Sequence, residues 1–413
     1  MQLLPGFRDF YPDDCARRNY IFAMWREVAR RYGFVEYDGP ILETHDLYRK
    51  KSGGEIAGQL FEFTDKGERE VALRPEMTPT LARMVAARAR DFRKPLRWFS
   101  IGQFFRYEKQ QRGRSREFYQ LNCDILGEDA LGSDAEAIAL MIDSLREFGF
   151  TSGDVAVRIS DRRAWEKFLS ERGRDVAELA DFLQVIDKLE RVPDAVSDEK
   201  LRAFGTSLDD VRAFAAQANL DWFGPLRAEL DARGVADFVE YDLKIVRGLA
   251  YYTGLVFEIF DRKKTLRALA GGGRYDQLLG LLSDGATTLP ALGFAMGDVV
   301  LAELIKETPA AAAKMDAWIS REHAIEIYVV IAKEERRADA LAAVQKLRNQ
   351  GCRVDFPLAP AKVGRQFQNA ELLGAKTAVL FGDEWPSVKI KTLATREEIV
   401  VPHTELLEHA RRS

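Results

Sequence analysis

The hydrophobic and polar pattern opens with a helix over residues 13–32, stopped by Gly33, and a short strand at 34–37 ahead of Pro40. Residues 70–74 form a brief extended run and 78–89 a second helix. The most regular alternation follows. Residues 96–107 read as a strand, 118–126 as its antiparallel return, and the polar, glycine-containing segment 108–116 as the loop between them. That pattern predicts a long hairpin with a basic tip. Residues 133–148 predict a strong helix, with Ser133 and Asp134 as start signals and Gly149 as the stop.

From about 160 to 234 the pattern turns helical and charge-rich, broken at Pro193, Gly205 and Pro225, which predicts a helical insertion. Strand patterns resume at 238–242 and 254–260, the triplet Gly271-Gly272-Gly273 follows, and a helix begins near Asp298. Residues 306–318 contain Pro309 and four consecutive alanines and read as a linker. Beyond them strands and helices alternate: strand 325–331, helix 334–350 stopped by Gly351, strand 352–356, helix 363–373 stopped by Gly374, strand 377–381. This predicts a small separate α/β domain with a mixed sheet.

Composition narrows the class without changing this plan. A chain of 413 residues is long enough for two or three domains with proper cores. No stretch has the apolar length of a membrane span, and the first residues lack a secretion signal, so the cytoplasm is the expected compartment. Cys15, Cys123 and Cys352 lie far apart, as do His45, His323, His403 and His409. Reduced thiols are expected, and no protein-held metal site. The net charge of −4 argues against nucleic-acid binding over the whole surface but leaves room for local basic patches.

Neither a GxxxxGK[ST] loop nor a GxGxxG turn after a strand is present. The hairpin offers another way to hold a nucleotide. It reads Phe105-Arg106-Tyr107-Glu108, then Lys109-Gln110-Gln111-Arg112-Gly113-Arg114-Ser115-Arg116, then Glu117-Phe118. Arginine forks suit phosphate, and an aromatic on the returning strand can stack on a base. Taken singly, such a run is a solvated loop, Tyr251-Tyr252 is aromatic packing, and the glycine triplet is a tight turn.

Taken in order, the hairpin resembles motif 2 of class II aminoacyl-tRNA synthetases, and neighbouring segments are similar to those of the histidyl enzymes. Leu73-Arg74-Pro75-Glu76-Met77-Thr78 resembles their histidine-binding element, and Gln120-Leu121-Asn122-Cys123-Asp124 resembles the end of motif 2. Arg247-Gly248-Leu249-Ala250-Tyr251-Tyr252-Thr253-Gly254 and Ala270-Gly271-Gly272-Gly273-Arg274-Tyr275-Asp276 resemble their two histidine-specific elements. The start, Pro5-Gly6-Phe7-Arg8-Asp9-Phe10, resembles the family's opening, and the C-terminal α/β segment resembles its anticodon-binding domain.

The resemblance implies an α+β fold. A class II core, an antiparallel sheet flanked by helices, would occupy 1–159 and 235–312, with the helical insertion at 160–234, a linker at 313–323 and the anticodon-binding domain at 324–413. It implies ATP-dependent ligation of L-histidine to tRNA(His) through histidyl-adenylate, by a homodimer with residues 37–40 near its interface, as part of protein biosynthesis. Arg106 and Arg247 are the implied catalytic residues, both touching histidine and the α-phosphate. Glu76, Met77, Thr78, Gln120, Asp124, Tyr251, Tyr252 and Tyr275 are implied to bind histidine. Glu108, Arg112, Arg114 and Phe118 are implied to bind ATP, with Mg2+ on the pyrophosphate side. The resemblance also implies that Lys109, Gln110 and Arg116 face the tRNA acceptor end, and makes Arg365, with Lys362, Gln366 and Asn369, an RNA-contact candidate.

Two positions depart from the family pattern. In the third motif, Gly293-Phe294-Ala295-Met296-Gly297-Asp298-Val299-Val300, a valine occupies the place of an arginine that contacts adenine and the terminal phosphate. Ala250 stands where many members carry aspartate. Two readings follow: an active lineage in which Arg112, Arg114 or Arg116 takes over the phosphate contact, or a non-catalytic paralogue that senses histidine, like the regulatory subunit of ATP phosphoribosyltransferase. The C-terminal domain and the retained Arg106, Glu108, Phe118 and Arg247 favour the enzyme. A plain RNA-binding module would not need the amino-acid pocket.

Overall fold

The computed structural model describes residues 2–49, 58–109, 111–189, 192–245 and 251–410. It divides into two compact units, Met1–Met315 and Asp316–Ser413.

In the first unit an eight-stranded sheet runs, in spatial order, Val35–Glu36, Leu96–Phe105, Glu117–Leu126, Ala291–Gly297, Ala270–Arg274, Leu255–Asp261, Val155–Asp161 and Val239–Tyr241. The six inner strands pair antiparallel and the two edge strands pair parallel. The predicted hairpin is the longest ladder, in register from Leu96 opposite Leu126 to Phe105 opposite Glu117. Alternation divides each strand between two faces. One face is covered by helices. Helix Pro12–Arg31 buries Ala16, Tyr20, Ile21, Trp25, Val28 and Ala29, a stripe at three- and four-residue spacing, and Trp25 reaches Met296 of the sheet. Helix Leu131–Arg146 buries most of its length beside it. The other face stays open.

The strand Ala291–Gly297 was not expected, and neither was Val155–Asp161. The glycine triplet is not a turn but the interior of the strand Ala270–Arg274. A Cβ on Gly272 would come within 2.2 Å of the Gly293 carbonyl, and one on Gly273 within 2.6 Å of the Leu255 carbonyl. Glycine is required there by the close approach of neighbouring backbone. The start signals of the second long helix also shift: it begins at Leu131, Ser133 Oγ donates to the Ala130 carbonyl, and Asp134 is a buried partner of Arg274 at 2.6 Å.

A three-stranded sheet of Leu42–Thr44, Glu70–Leu73 and Phe61–Thr64 leads into helix Thr78–Arg88. The insertion folds as five helices among the described residues, from Arg162–Ser170 to Gly224–Ala232. Their core is aromatic, with Trp165, Phe168 and Phe182 in mutual ring contact. Residues 313–323, expected as a linker, lie within helix Pro309–His323. Proline at the first helical position followed by alanines is a helix start, and alanine is the strongest helix former.

The second unit has a mixed five-stranded sheet in the order Val354–Asp355, Ile327–Ile331, Thr377–Phe381, Ser387–Thr392 and Glu398–Pro402. The first three strands are parallel and the last two join antiparallel. Helices Arg337–Asn349 and Val363–Leu372 pack on it. Arg365 is exposed on the second of these, whereas Gln366, grouped with it as an RNA contact, is fully buried. Its amide accepts from the Ile331 N–H at 2.8 Å and donates to the Ile331 carbonyl at 2.9 Å, so it extends the sheet's hydrogen bonding and does not face RNA.

Candidate active site

The open face of the first unit's sheet floors a cavity of about 670 Å³. Phe118, Gln120, Asn122 and Asp124 alternate along one hairpin strand, so all four point into it. Gly293, Ala295 and Gly297 continue the floor on the adjoining strand, where Gly293 pairs with Asp124 and Gly297 with Gln120.

One end of the cavity is built around two carboxylates. Tyr275 donates its hydroxyl to Asp124 at 2.6 Å, and Tyr251 donates to Glu76 at 3.1 Å. The rings of Tyr251 and Tyr275 meet edge-on at 6.1 Å, and Tyr252 packs against Tyr251 at 4.9 Å. Burial, reinforced by Asp124, pushes the Tyr275 hydroxyl well above its ordinary pKa, so it remains a proton donor. Glu76 is placed by its neighbour Arg74, which is 2% exposed. Arg74 donates to the carbonyls of Gln103 and Gly39, each at 2.9 Å, and its guanidinium lies 4.9 Å over Phe104. That fixes the segment leading to helix Thr78–Arg88 against the hairpin. Thr78, its first residue, also lines the cavity.

The other end is cationic and aromatic. Arg106 donates from Nε to the Pro75 carbonyl at 3.0 Å and lies 5.3 Å over the Phe118 ring. Glu108 is buried and pairs with Arg114. The hairpin tip closes through a bridge between Gln111 and Arg114, with Gly113 at φ +74°, a conformation glycine adopts without strain. The chain's opening segment props this tip: the Gly6 carbonyl accepts from Ser115 Oγ at 2.6 Å and from the N–H of Arg116 and Glu117. Arg8 pairs at 2.9 Å with Asp298, which begins helix Asp298–Glu307 and also accepts from the Tyr119 N–H. Burial raises the pKa of Asp298, opposed by Arg8.

Eleven of the expected site residues therefore line one cavity: Glu76, Thr78, Arg106, Glu108, Arg114, Phe118, Gln120, Asp124, Tyr251, Tyr252 and Tyr275. Others do not. Met77 is fully buried beneath the site, with its sulfur 3.6 Å from Arg74. Arg112 points away, paired with Glu307 and with Glu303 at 3.7 Å, because the tight turn at Gly113 sends adjacent side chains apart. Arg116 lies 4.1 Å over the Tyr107 ring outside the cavity, and Lys109 is exposed. Gln110, Arg247 and Ala250 lie outside the described residues.

Asn122, Glu258, Arg267 and Asp298 also line the cavity and were not singled out as site residues. The alternation of residues 118–124 is the signal that would have found Asn122. Val300 is there too, 7% exposed, facing Gly113. Among the described residues no cluster of three or more His, Cys, Asp or Glu side chains forms a metal cage, and no helix is long and apolar enough to cross a membrane. Glu258, which lines the cavity, offers a hard oxygen donor of the kind a magnesium ion carried on nucleotide phosphates prefers.

Comparison with known proteins gives a consistent result. The family profile described as histidyl-tRNA synthetase matches residues 6–298, and the profile described as anticodon binding domain matches residues 326–412. The histidine–tRNA ligase of Opitutus terrae is 44% identical, with 98% of this chain and 97% of that protein aligned. The chloroplastic/mitochondrial histidine–tRNA ligase of Arabidopsis thaliana is 37% identical over 97% of this chain and 85% of its own length. The crystal structure of histidyl-tRNA synthetase from Nostoc sp. PCC 7120 superposes with a TM-score of 0.76 over 100% of this chain and 99% of that one; at 21% identity it speaks for the fold.

Proposed function

Because the chain belongs to the histidyl-tRNA synthetase family, we propose that it ligates L-histidine to tRNA(His) at the cavity just described, in two steps. A carboxylate oxygen of histidine attacks the α-phosphorus of ATP; the bond to the β-phosphate breaks, leaving histidyl-adenylate and pyrophosphate. A hydroxyl of the terminal tRNA ribose then attacks the histidyl carbonyl and AMP leaves. Such chemistry needs reactants held in line and charge neutralised, not a protein nucleophile.

The carboxylate–tyrosine end takes histidine. Glu76 and Thr78 receive its ammonium, with Gln120 and Asp124 beside them, while Tyr251, Tyr252 and Tyr275 wall the imidazole. Arg106 bridges the substrate carboxylate and the α-phosphate. Arg247 is assigned the opposite side of that phosphate from its place in the sequence motif. Phe118 stacks on adenine beside Glu108. Mg2+ carried on ATP would supply further charge neutralisation at the phosphates, with Glu258 as the residue that would help hold it. The second unit reads the anticodon. Residues 1–159 with 235–312 act as the catalytic core, 160–234 as an insertion and 324–413 as the anticodon-binding domain. The enzyme works in the cytoplasm as a homodimer, and the exposed Val35, Ile41 and Leu42 beside the sheet edge support an interface near residues 37–40.

The observation that supports this most is one cavity holding a tyrosine-locked carboxylate at one end and an arginine-over-phenylalanine pair at the other. Histidine-dependent exchange of labelled pyrophosphate into ATP tests it. Exchange is expected with histidine and not without it; equal label in both reactions overturns the ligase reading and favours a histidine sensor.

A further inference from the structure

The triphosphate of ATP carries three to four negative charges into the cationic end of the cavity, so the arginines free to meet it can be counted among the described residues. Arg106, Arg114 and Arg267 line the cavity. Arg106 is turned toward Pro75 and Phe118, where the α-phosphate is placed. Arg114 is engaged by the buried carboxylate of Glu108. Arg112 is drawn off by Glu303 and Glu307, and Arg116 is stacked outside on Tyr107. Arg267 is exposed and donates to the Gln111 side chain at the hairpin tip.

Strand register places Arg267. Ala270 pairs with Met296 and Gly271 with Ala295, antiparallel, and the Gly297 N–H donates to the Leu269 carbonyl. Arg267 lies two residues before this last hydrogen bond and Val300 three residues after it, on the first turn of helix Asp298–Glu307, and both line the cavity. The hairpin tip closes the same space, since Gly113 faces Val300 while Gln111 holds Arg267. The guanidinium missing from position 300 thus has a counterpart just ahead of strand Ala270–Arg274, lining the same cavity as Val300. Partial burial, and then the like charge of Arg114, bring the pKa of Arg267 below that of a free guanidinium, opposed by Glu108. Two like charges facing one cavity is an arrangement a polyanion relieves.

We propose that Arg267 contacts the β- and γ-phosphates of ATP and supplies the cationic contact that Val300 cannot. The assignment rests on the ligase reading for its substrate and names a residue of the triphosphate subsite. Gln111 acts as a positioning residue that holds Arg267 toward the tip.

Equilibrium binding of ATP and of AMP, measured on the full chain with and without Arg267→Ala, tests it together with KM values for pyrophosphate exchange. Arg267→Ala should weaken ATP binding and raise KM for ATP about 10- to 100-fold, the range for loss of a charge-assisted hydrogen bond. AMP affinity and KM for histidine should stay within about twofold. Arg267→Lys should recover part of the loss, and Val300→Arg placed in the Arg267→Ala background should recover ATP binding from the helix that lines the same cavity. ATP binding unchanged in Arg267→Ala overturns the proposal; so does an equal fall for ATP and AMP, which would make Arg267 a structural residue. Absence of histidine-dependent exchange in the unmodified chain would instead sink the ligase reading, while the ATP-against-AMP contrast would still decide the role of Arg267.

Discussion

Gly293→Ala is the sharpest probe of the histidine end, because its effect can be worked from geometry. Gly293 lies directly opposite Asp124 in the central ladder. A Cβ built there would be 2.1 Å from Asp124 Oδ1 and 2.7 Å from the Cys123 carbonyl. The first distance is more than an ångström inside ordinary contact, and the second involves backbone that the ladder holds in place. Asp124 Oδ1 is the atom that accepts the 2.6 Å bond from Tyr275, so the new methyl and the hydroxyl compete for it. Displacing the carboxylate forfeits a hydrogen bond to a charged group, about 1.5–3 kcal/mol. Expressed in histidine affinity, that is roughly 10- to 150-fold.

The forced separation of strands adds an overpacking cost of about 1–3 kcal/mol to stability. In a unit of this size that lowers the melting transition by roughly 1.5–4.5 °C. Pyrophosphate exchange at saturating ATP gives KM for histidine, and calorimetry gives the transition. Gly132→Ala is the control, since nothing lies within 4 Å of a Cβ there and the residue is helical. A folded Gly293→Ala protein with the original KM for histidine would refute the placing of Asp124 in the amino-acid site.

Phe118→Ala should raise KM for ATP about 5- to 150-fold, the measured range for losing one base–aromatic stack, with KM for histidine nearly unmoved; an unchanged KM for ATP would place adenine elsewhere. Arg274→Ala leaves Asp134 without its buried cationic partner and should cost about 3–5 kcal/mol, read as a lower urea midpoint, whereas a midpoint shift near zero would mean the pair is replaceable. Arg365→Ala should leave pyrophosphate exchange intact, weaken tRNA binding and reduce its salt slope by about one, while Gln366→Leu should destabilise the second unit by about 1–3 kcal/mol; a salt slope unaltered in Arg365→Ala removes that residue from the RNA surface.

Where the chain's local preferences agree with the tertiary environment, the sequence was legible. The hairpin came within two residues of its observed ends because alternation on both strands and a polar, glycine-containing tip point the same way. Strand Ala291–Gly297 was not legible. Two of its residues are glycine and none is β-branched, so propensity speaks against a strand, and the reason for Gly293 is a carboxylate on the neighbouring strand. The triplet Gly271–Gly273 misleads in the same way. Asp134 carries the signature of a helix start, yet its partner Arg274 is remote in sequence and reverses its meaning from a cap to a buried ion pair. Arg267 belongs to no motif and enters the site only through the folded cavity and its contact with Gln111, which sequence alone does not show.

The glycines that hid two strands bear directly on selectivity. Asp124 is confined from above by the Tyr275 hydroxyl and from below by Gly293, whose missing side chain leaves room for the carboxylate and little else. Gly273 plays the same part for Tyr252, since a Cβ there would fall 2.9 Å from that ring. Two walls of the proposed imidazole site, Tyr275 through its bond to Asp124 and Tyr252 directly, are therefore positioned by backbone packing in the sheet's centre. A pocket whose hydrogen-bonding groups cannot relax leaves them unpaired when a ligand lacks the matching atoms, and such sites reject isosteres by factors on the order of 10⁴–10⁵ without editing. Side chains on a mobile loop could shift to accept a near match; groups clamped between strands with no Cβ to spare cannot. Discrimination at this site follows from the rigidity of the glycine strands as much as from the identity of Asp124 and Tyr275.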